Sequence, residues 1–287
     1  EFQELLDNYS FYQDDLVGDE VGIPLYFLGK KTNNSKIKVV QVGEGADELF
    51  YGYDHWNRYL KLNKFFKPFF KSTKKYSSFK NHRLNMLSNI LFNRTSFAGG
   101  ALGFNLKELD SLIEDGLPNH SDLIFYADNK WKDYFSNKNS KISKWMTLID
   151  LKIRLPELLL MRMDKLVMQS AVEARVPFLD HKLVEYVLSL PEELLIDLTN
   201  TKSLLKKVAL KYLPDQIINR KKQGFRAPIG EWIKKDEEKF YESVQQFNSL
   251  VNLFNERELN HILNGNDYQK KWYLINLSNW HLARVAN

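Results

Sequence analysis

Apolar positions along this chain follow two periods. Lys36-Ile-Lys-Val-Val-Gln-Val42 collects β-branched residues after a polar Asn-Asn-Ser turn, which predicts a short buried strand. Gly43 and Gly45 then bracket Glu44, and Ala46-Asp47-Glu48 opens a helix-period pattern. Elsewhere three- and four-residue spacing prevails. Ile23-Pro-Leu-Tyr-Phe-Leu28 begins an apolar helix, with Asp19 as its cap. Met146 to Ile153 predicts one helix, and a second starts with Pro156 in its first turn and runs to Val172. Along that second helix Leu159, Met163, Val167 and Ala171 share a stripe, with Asp164 one position off it. Asp180 is placed to cap the helix that follows. Leu204, Leu205, Val208, Ala209 and Tyr212 mark a further amphipathic helix closed by Pro214. Trp232, Phe240, Leu253, Ile262 and Trp272 belong to a helical tail, and Leu277 and Trp280 to its last helix.

Two stretches look like chemistry but read better as structure. Lys64-Phe-Phe-Lys-Pro-Phe-Phe-Lys71 mixes basic and aromatic residues, as nucleic-acid or membrane-surface binders do. Yet Phe65, Phe66, Phe69 and Phe70 keep helical spacing, so core packing is expected, with Pro68 interrupting the helix. Ala98-Gly-Gly-Ala-Leu-Gly-Phe104 is neither a P-loop nor a dinucleotide fingerprint and is expected to be a loop. Asn105 to Asn139 is polar and poorly periodic.

Composition narrows the function. With 287 residues there is room for one large domain or two small ones, and the charge of +5 is modest. No cysteine is present, which excludes disulfides and a thiol nucleophile in this chain. The histidines show no metal-ligand spacing. Neither nucleic acid nor a membrane is expected as a partner, and a cytoplasmic setting is.

The candidate chemistry therefore gathers at the strand-end turn. Ligands of open α/β sheets bind at the carboxyl ends of strands, and glycines there let backbone and ligand approach closely. Glu44, Asp47 and Glu48 are expected to aim at one crevice. Acidic residues also complement the dipole of a helix first turn. The flanking glycines and the second turn at Tyr51-Gly52-Tyr53 favour a binding site, with hard oxygens suited to Mg²⁺ completed by substrate phosphates.

Gly43-Glu-Gly-Ala-Asp-Glu-Leu-Phe50 resembles the second nucleotide-site motif of the asparagine synthetase family. Leu155 to His181, ending in Glu173-Ala-Arg-Val-Pro-Phe-Leu-Asp180, resembles the family's longest signature, with Val167 where serine is common. Asp14-Asp-Leu-Val-Gly-Asp19 resembles its acidic segment, with Leu16 where proline is usual. Lys222-Gln-Gly-Phe225 resembles the loop whose lysine reaches the nucleotide phosphates. Taken alone, Arg220-Lys221-Lys222 is a solvated basic run.

The resemblance implies an α/β fold, mostly helical in this portion. It would be an adenine-nucleotide α-hydrolase-like (PP-loop synthetase) domain with few parallel strands, and residues 1–287 would form a single synthetase-like domain. It implies ATP and Mg²⁺ as cofactors. A substrate carboxylate, by default that of aspartate, is adenylated, and ammonia from a glutaminase domain displaces AMP. Asp47 would hold Mg²⁺ beside Gly43 and Gly45, Glu44 would act as base or orienting group for ammonia, and Lys222 would neutralise phosphate charge. Asp164, Glu173 and Arg175 would support the site or touch substrate as a partly buried, paired charge network, with Glu48 beside them. The chain opens without methionine, and the glutaminase domain and the Ser-Gly-Gly-x-Asp-Ser loop are expected upstream. Residues 1–287 alone are on this reading catalytically silent. Amidation of a sugar uronic acid, a non-catalytic scaffold, and an oligomer all stay open.

Overall fold

The structure, a computed structural model, describes residues 15–66, 103–117, 141–220 and 227–285. Among the expectations above, those on Asp14, Phe69, Phe70, most of the Ala98–Phe104 stretch and Lys222 lie outside these residues.

Helix α1 (Gly22–Asn34) starts after Asp19, whose carboxylate accepts the Val21 N–H at 2.9 Å. Strand β1 (Val39–Gln41) is shorter than the expected Lys36–Val42 run, because Lys36 turns through a φ of 60°. Its burial is one-sided. Val40 and Val42 pack on the core, whereas Ile37 and Val39 on the alternate face are 48% and 40% exposed. Helix α2 (Ala46–Leu49) is a single turn, followed by α3 (Asp54–Phe66). Phe65 is 68% exposed and so corrects the expectation of core packing, while its neighbour Phe66 packs partly buried. Adjacent helical residues diverge by about 100°, so the doublet cannot bury both rings on one face.

Helix α4 (Leu106–Leu112) emerges from the segment that looked aperiodic, fixed by a capping box between Asn105 and Glu108. The next correction concerns Pro156. No second helix begins there: α5 (Ile142–Ile149) runs without a break through a π-helical stretch, Asp150–Leu160, into α6 (Met161–Met168). Proline has no N–H to give and crowds the carbonyl one turn back, and a widened turn accommodates both. The expected stripe holds for Leu159, Met163 and Val167, all buried, whereas Ala171 is exposed and turns through a φ of 53°.

Strand β2 (Glu173–Arg175) lies parallel to β1 with Val40 opposite Ala174. A 3₁₀ turn, Pro177–Leu179, leads to α7 (His181–Ser189), capped by Asp180 through the N–H groups of Lys182 and Leu183. Helices α8 (Glu192–Leu195) and α9 (Ser203–Ala209) follow. Leu204 and Leu205 of α9 pack inward, but Val208 and Tyr212 are 48% and 80% exposed, so the expected stripe covers only half its length. After α10 (Asp215–Ile218) come the tail helices α11 (Ile229–Lys235), α12 (Glu237–Val251), α13 (Glu256–Leu263) and α14 (Tyr268–Val285). Phe240 and Trp272 are fully buried among them.

Two apolar cores organise these elements. One joins α1, α6 and the tail, with Ile23, Leu166, Val244 and Trp272 at its centre. The other joins α2, α3, α5, α7 and α8 around Leu49, Trp56, Met146 and Val187. The β1–α2 connection crosses from the first core to the second, since Val40 and Val42 pack on one and Leu49 and Phe50 in the other. The long α5–α6 helix also crosses, with Met146 in the second core and Met163 in the first. Residues 43–48 and the π-helical stretch thus both lie where the cores meet.

Candidate active site

The turn after β1 depends on glycine at one position above all. Gly45 has φ +90°, and a Cβ there would lie 2.4 Å from Leu179 Cδ2. Gly43 has ordinary backbone and nothing within 4 Å of the place a Cβ would take, which leaves open space beside the strand end.

Each carboxylate of the turn has its own cation. Glu44 Oε1 is 3.7 Å from Arg162 Nη2. Asp47 Oδ1 is 3.1 Å from Lys202 Nζ. Glu48 Oε1 is 3.7 Å from Arg154 Nη1 and accepts the Tyr53 O–H at 2.5 Å. The expectation that all three face one crevice is corrected for Glu48, which is 1% exposed, against 23% and 24% for the side chains of Glu44 and Asp47. Consecutive residues of a helical turn point about 100° apart, so Asp47 and Glu48 cannot share a direction.

Beneath Glu48 lies a dry charge cluster. Arg154 donates to Asp150 Oδ2 at 2.9 Å and sits 4.8 Å over the Tyr53 ring centre. Burial pushes the Asp150 carboxyl up to about 6, against the pull of Arg154. Burial, with Glu48 alongside, likewise raises the Tyr53 phenol. Glu48 Oε2 and Asp150 Oδ1 find no hydrogen-bond partner among the described residues. Charges removed from water in this way are costly unless paired, and Arg154 is what pairs them.

Glu44 belongs to a second line. Arg162, 8% exposed, contacts Asp19 with one nitrogen and faces Glu44 with the other. Asp19 is held from behind: the Trp272 indole donates to Gly18 O at 3.0 Å and Asn276 Nδ2 to Val17 O at 2.9 Å. Burial raises the proton affinity of Glu44, opposed by Arg162 and reinforced by Glu48 and Asp47.

The other predicted residues fall elsewhere. Glu173 and Arg175 bond to each other at 2.8 Å, and both side chains are more than half exposed. This corrects the expected partly buried network: period-2 alternation puts both on the outer face of β2, with Ala174 inward. Asp164 is exposed on α6 and joins no ion pair among the described residues. Lys222 is outside the described residues. The site cations Arg154, Arg162 and Lys202 were not anticipated. Asp150 and Arg154 stand at helical i,i+4 spacing, a legible signal, and Arg162 interrupts an apolar stripe, but nothing local marks Lys202.

Among the described residues no three His, Cys, Asp or Glu side chains cluster as a metal cage. Glu44 and Asp47 nevertheless offer partly exposed hard oxygens, which fits Mg²⁺ held by one or two carboxylates and completed by phosphates and water. No helix among the described residues is long and apolar enough to cross a membrane.

A family model described as asparagine synthase matches residues 1–282, and the chain belongs to that family. It is 29% identical over 254 residues to asparagine synthetase [glutamine-hydrolyzing] 1 of Bacillus subtilis, covering 86% of this chain and 39% of that protein. It is 30% identical over 307 aligned positions to a putative asparagine synthetase [glutamine-hydrolyzing] of Mycobacterium tuberculosis, covering all of this chain and 45% of that protein. The chain thus spans less than half the length of these relatives.

Proposed function

We propose that residues 1–287 form one synthetase domain of the PP-loop type, within a cytoplasmic ligase that makes an amide at the expense of ATP. In this reaction an oxygen of the aspartate side-chain carboxylate attacks the α-phosphorus of ATP. Pyrophosphate leaves and an acyl-adenylate remains. Ammonia then adds to the acyl carbon, gives up a proton, and AMP departs, leaving asparagine. The relatives' names speak of glutamine hydrolysis, and we take glutamine as the ammonia source here as well.

The observation that carries this reading is the strand-end turn itself. Gly43 leaves room for a ligand against the backbone, and two partly exposed carboxylates stand beside it, in a chain of this family. Asp47 is the residue to hold Mg²⁺, with Gly43 and Gly45 shaping the nucleotide side. Bound Mg²⁺ would supply positive charge to the leaving pyrophosphate. Glu44 is suited to take the proton from ammonia, since burial raises its proton affinity above that of an ordinary carboxylate. Arg162, tied to Asp19, holds Glu44 in place. Lys222 is assigned to the α-phosphate on its sequence motif. Glu48 supports the loop from beneath, while Asp164, Glu173 and Arg175 are given peripheral support roles.

The test is carboxylate-dependent exchange of labelled pyrophosphate into ATP by the intact protein. The proposal expects exchange that requires aspartate. Exchange driven by a sugar uronic acid instead would move the substrate, and exchange with neither would reject the adenylation.

A further inference from the structure

An arginine beside a carboxylate that must accept a proton works in two directions. It holds the carboxylate in place, yet in hydrogen-bond contact it favours the charged form and occupies the lone pair that has to receive the proton. Arg162 stops short of that contact. Its Nη2 lies 3.7 Å from Glu44 Oε1, beyond hydrogen-bond range, whereas its Nη1 donates directly to Asp19 Oδ2. A guanidinium is a rigid planar fork, so bonding one arm to Asp19 fixes where the other arm can reach.

Asp19 is in no position to follow the arginine towards Glu44. Its Oδ1 accepts the Val21 N–H at 2.9 Å, and its backbone carbonyl accepts the Gly22 N–H at 3.2 Å, where α1 begins. The two residues before it are gripped by α14, through Trp272 on Gly18 O and Asn276 on Val17 O. Trp272 and Asn276 are 0% and 1% exposed, so this grip is built into the core. Entry into α1 does not explain the negative charge. An asparagine or serine oxygen accepts the N–H two residues on in the same way. Nor does the burial of Arg162 explain it, because Glu44 alone could pair that cation by closing the gap.

We propose that Asp19 is a positioning residue for the ammonia step: by holding Arg162 it keeps the guanidinium short of Glu44, so that the Glu44 carboxylate stays free to orient ammonia and take its proton. In that step the ammonia nitrogen bonds the acyl carbon, one of its protons passes to a Glu44 oxygen, and the AMP oxygen leaves with the electrons of its bond to carbon. The inference rests on the reading of Glu44 above, and its test separates the two.

Aspartate-dependent exchange of labelled pyrophosphate into ATP, and amide release with ammonium chloride as nitrogen source, are measured on the intact protein. The wild type is compared with Asp19→Asn, Arg162→Met, the double variant and Glu44→Gln, with melting followed in parallel. Asp19→Asn keeps an acceptor for the Val21 N–H and removes the charge. It is expected to lower amide release ~10–100-fold, up to the scale of misplacing a catalytic group by about 1 Å, with exchange little changed. In the Arg162→Met background the same substitution should have no further effect on amide release, because Asp19 acts through that arginine. Should Asp19→Asn melt early, Asp19→Ser, which also keeps an acceptor, serves the same comparison. Equal loss of exchange and amide release in Asp19→Asn would reduce Asp19 to a structural tie. Full additivity with Arg162→Met would equally overturn the proposal. Loss of amide release in Glu44→Gln without loss in Asp19→Asn would remove the role of Asp19 and leave Glu44 standing. Unchanged amide release in Glu44→Gln would remove both readings.

Discussion

Two carboxylate–arginine pairs flank the same strand-end region and behave in opposite ways. Glu48 and Arg154 lie under the turn, nearly sealed from water, and share their charge with Asp150 and Tyr53. Glu173 and Arg175 lie on the outer face of β2, in water, and among the described residues their side chains bond only to each other. Their electrostatics run in opposite directions. Burial raises the Asp150 carboxyl, whereas the hydrogen bond from Arg175 lowers Glu173. Motif resemblance treats Glu48, Glu173 and Arg175 alike, as parts of signatures. Burial separates them: a desolvated charge must keep its partner, and a solvated one need not.

The largest effect is expected from Arg154→Met. It strands Glu48 and Asp150 without their cation, and should cost about 3–5 kcal/mol in urea unfolding, the range for breaking a buried pair. A loss no larger than that of a surface substitution would mean water reaches the cluster.

Gly45→Ala comes next. It forces a Cβ into a φ of +90° and against Leu179, and should cost about 1–3 kcal/mol and disorder the turn. Unfolding midpoints measure the first effect, and Mg-ATP affinity the second. Gly43→Ala, which meets nothing within 4 Å, is the control for fold stability.

A third test reads pH. Asp150 has a folded-state pKa of about 6 against an ordinary 3.8, so the native protein binds more protons in that window. Its contribution to stability is full below about pH 4 and is lost as pH rises through about 6. Urea midpoints taken across this window should show the fall in the wild type, and Asp150→Asn should lack it. A wild-type profile identical to that of the asparagine variant would place Asp150 in water.

The smallest effect belongs to the outer pair. Glu173→Ala and Arg175→Ala should leave the unfolding midpoint within error of the wild type, because both groups are solvated. Marked destabilisation by either would erase the contrast between the two pairs.

Local chemistry made much of the fold legible. A predominance of β-branched residues found β1, Asp180 and Asp19 were readable as caps, and large apolar residues such as Phe240 and Trp272 marked the helical tail. At Pro156 local rules failed, because they offer a break or a kink, and the chain takes a widened π-helical run instead. The acidic half of the site was readable because Glu44, Asp47 and Glu48 lie within one turn. Its cationic half was not, since Arg154, Arg162 and Lys202 arrive from positions more than a hundred residues away, brought together only where the two cores meet. Nor does residue type disclose burial: Asp47 and Glu48 are neighbours, yet one is open and the other sealed.

The central claim is that these neighbouring carboxylates divide the reaction, Glu44 serving the ammonia step and Asp47 the nucleotide. Glu44→Gln tests it most directly, with aspartate-dependent exchange of labelled pyrophosphate into ATP and amide release measured separately. The account predicts that exchange continues at near wild-type rate while amide release falls ~10²–10⁴-fold, the range for losing a general base. Equal loss of exchange and of amide would contradict it, and would place Glu44 in the nucleotide site with Asp47.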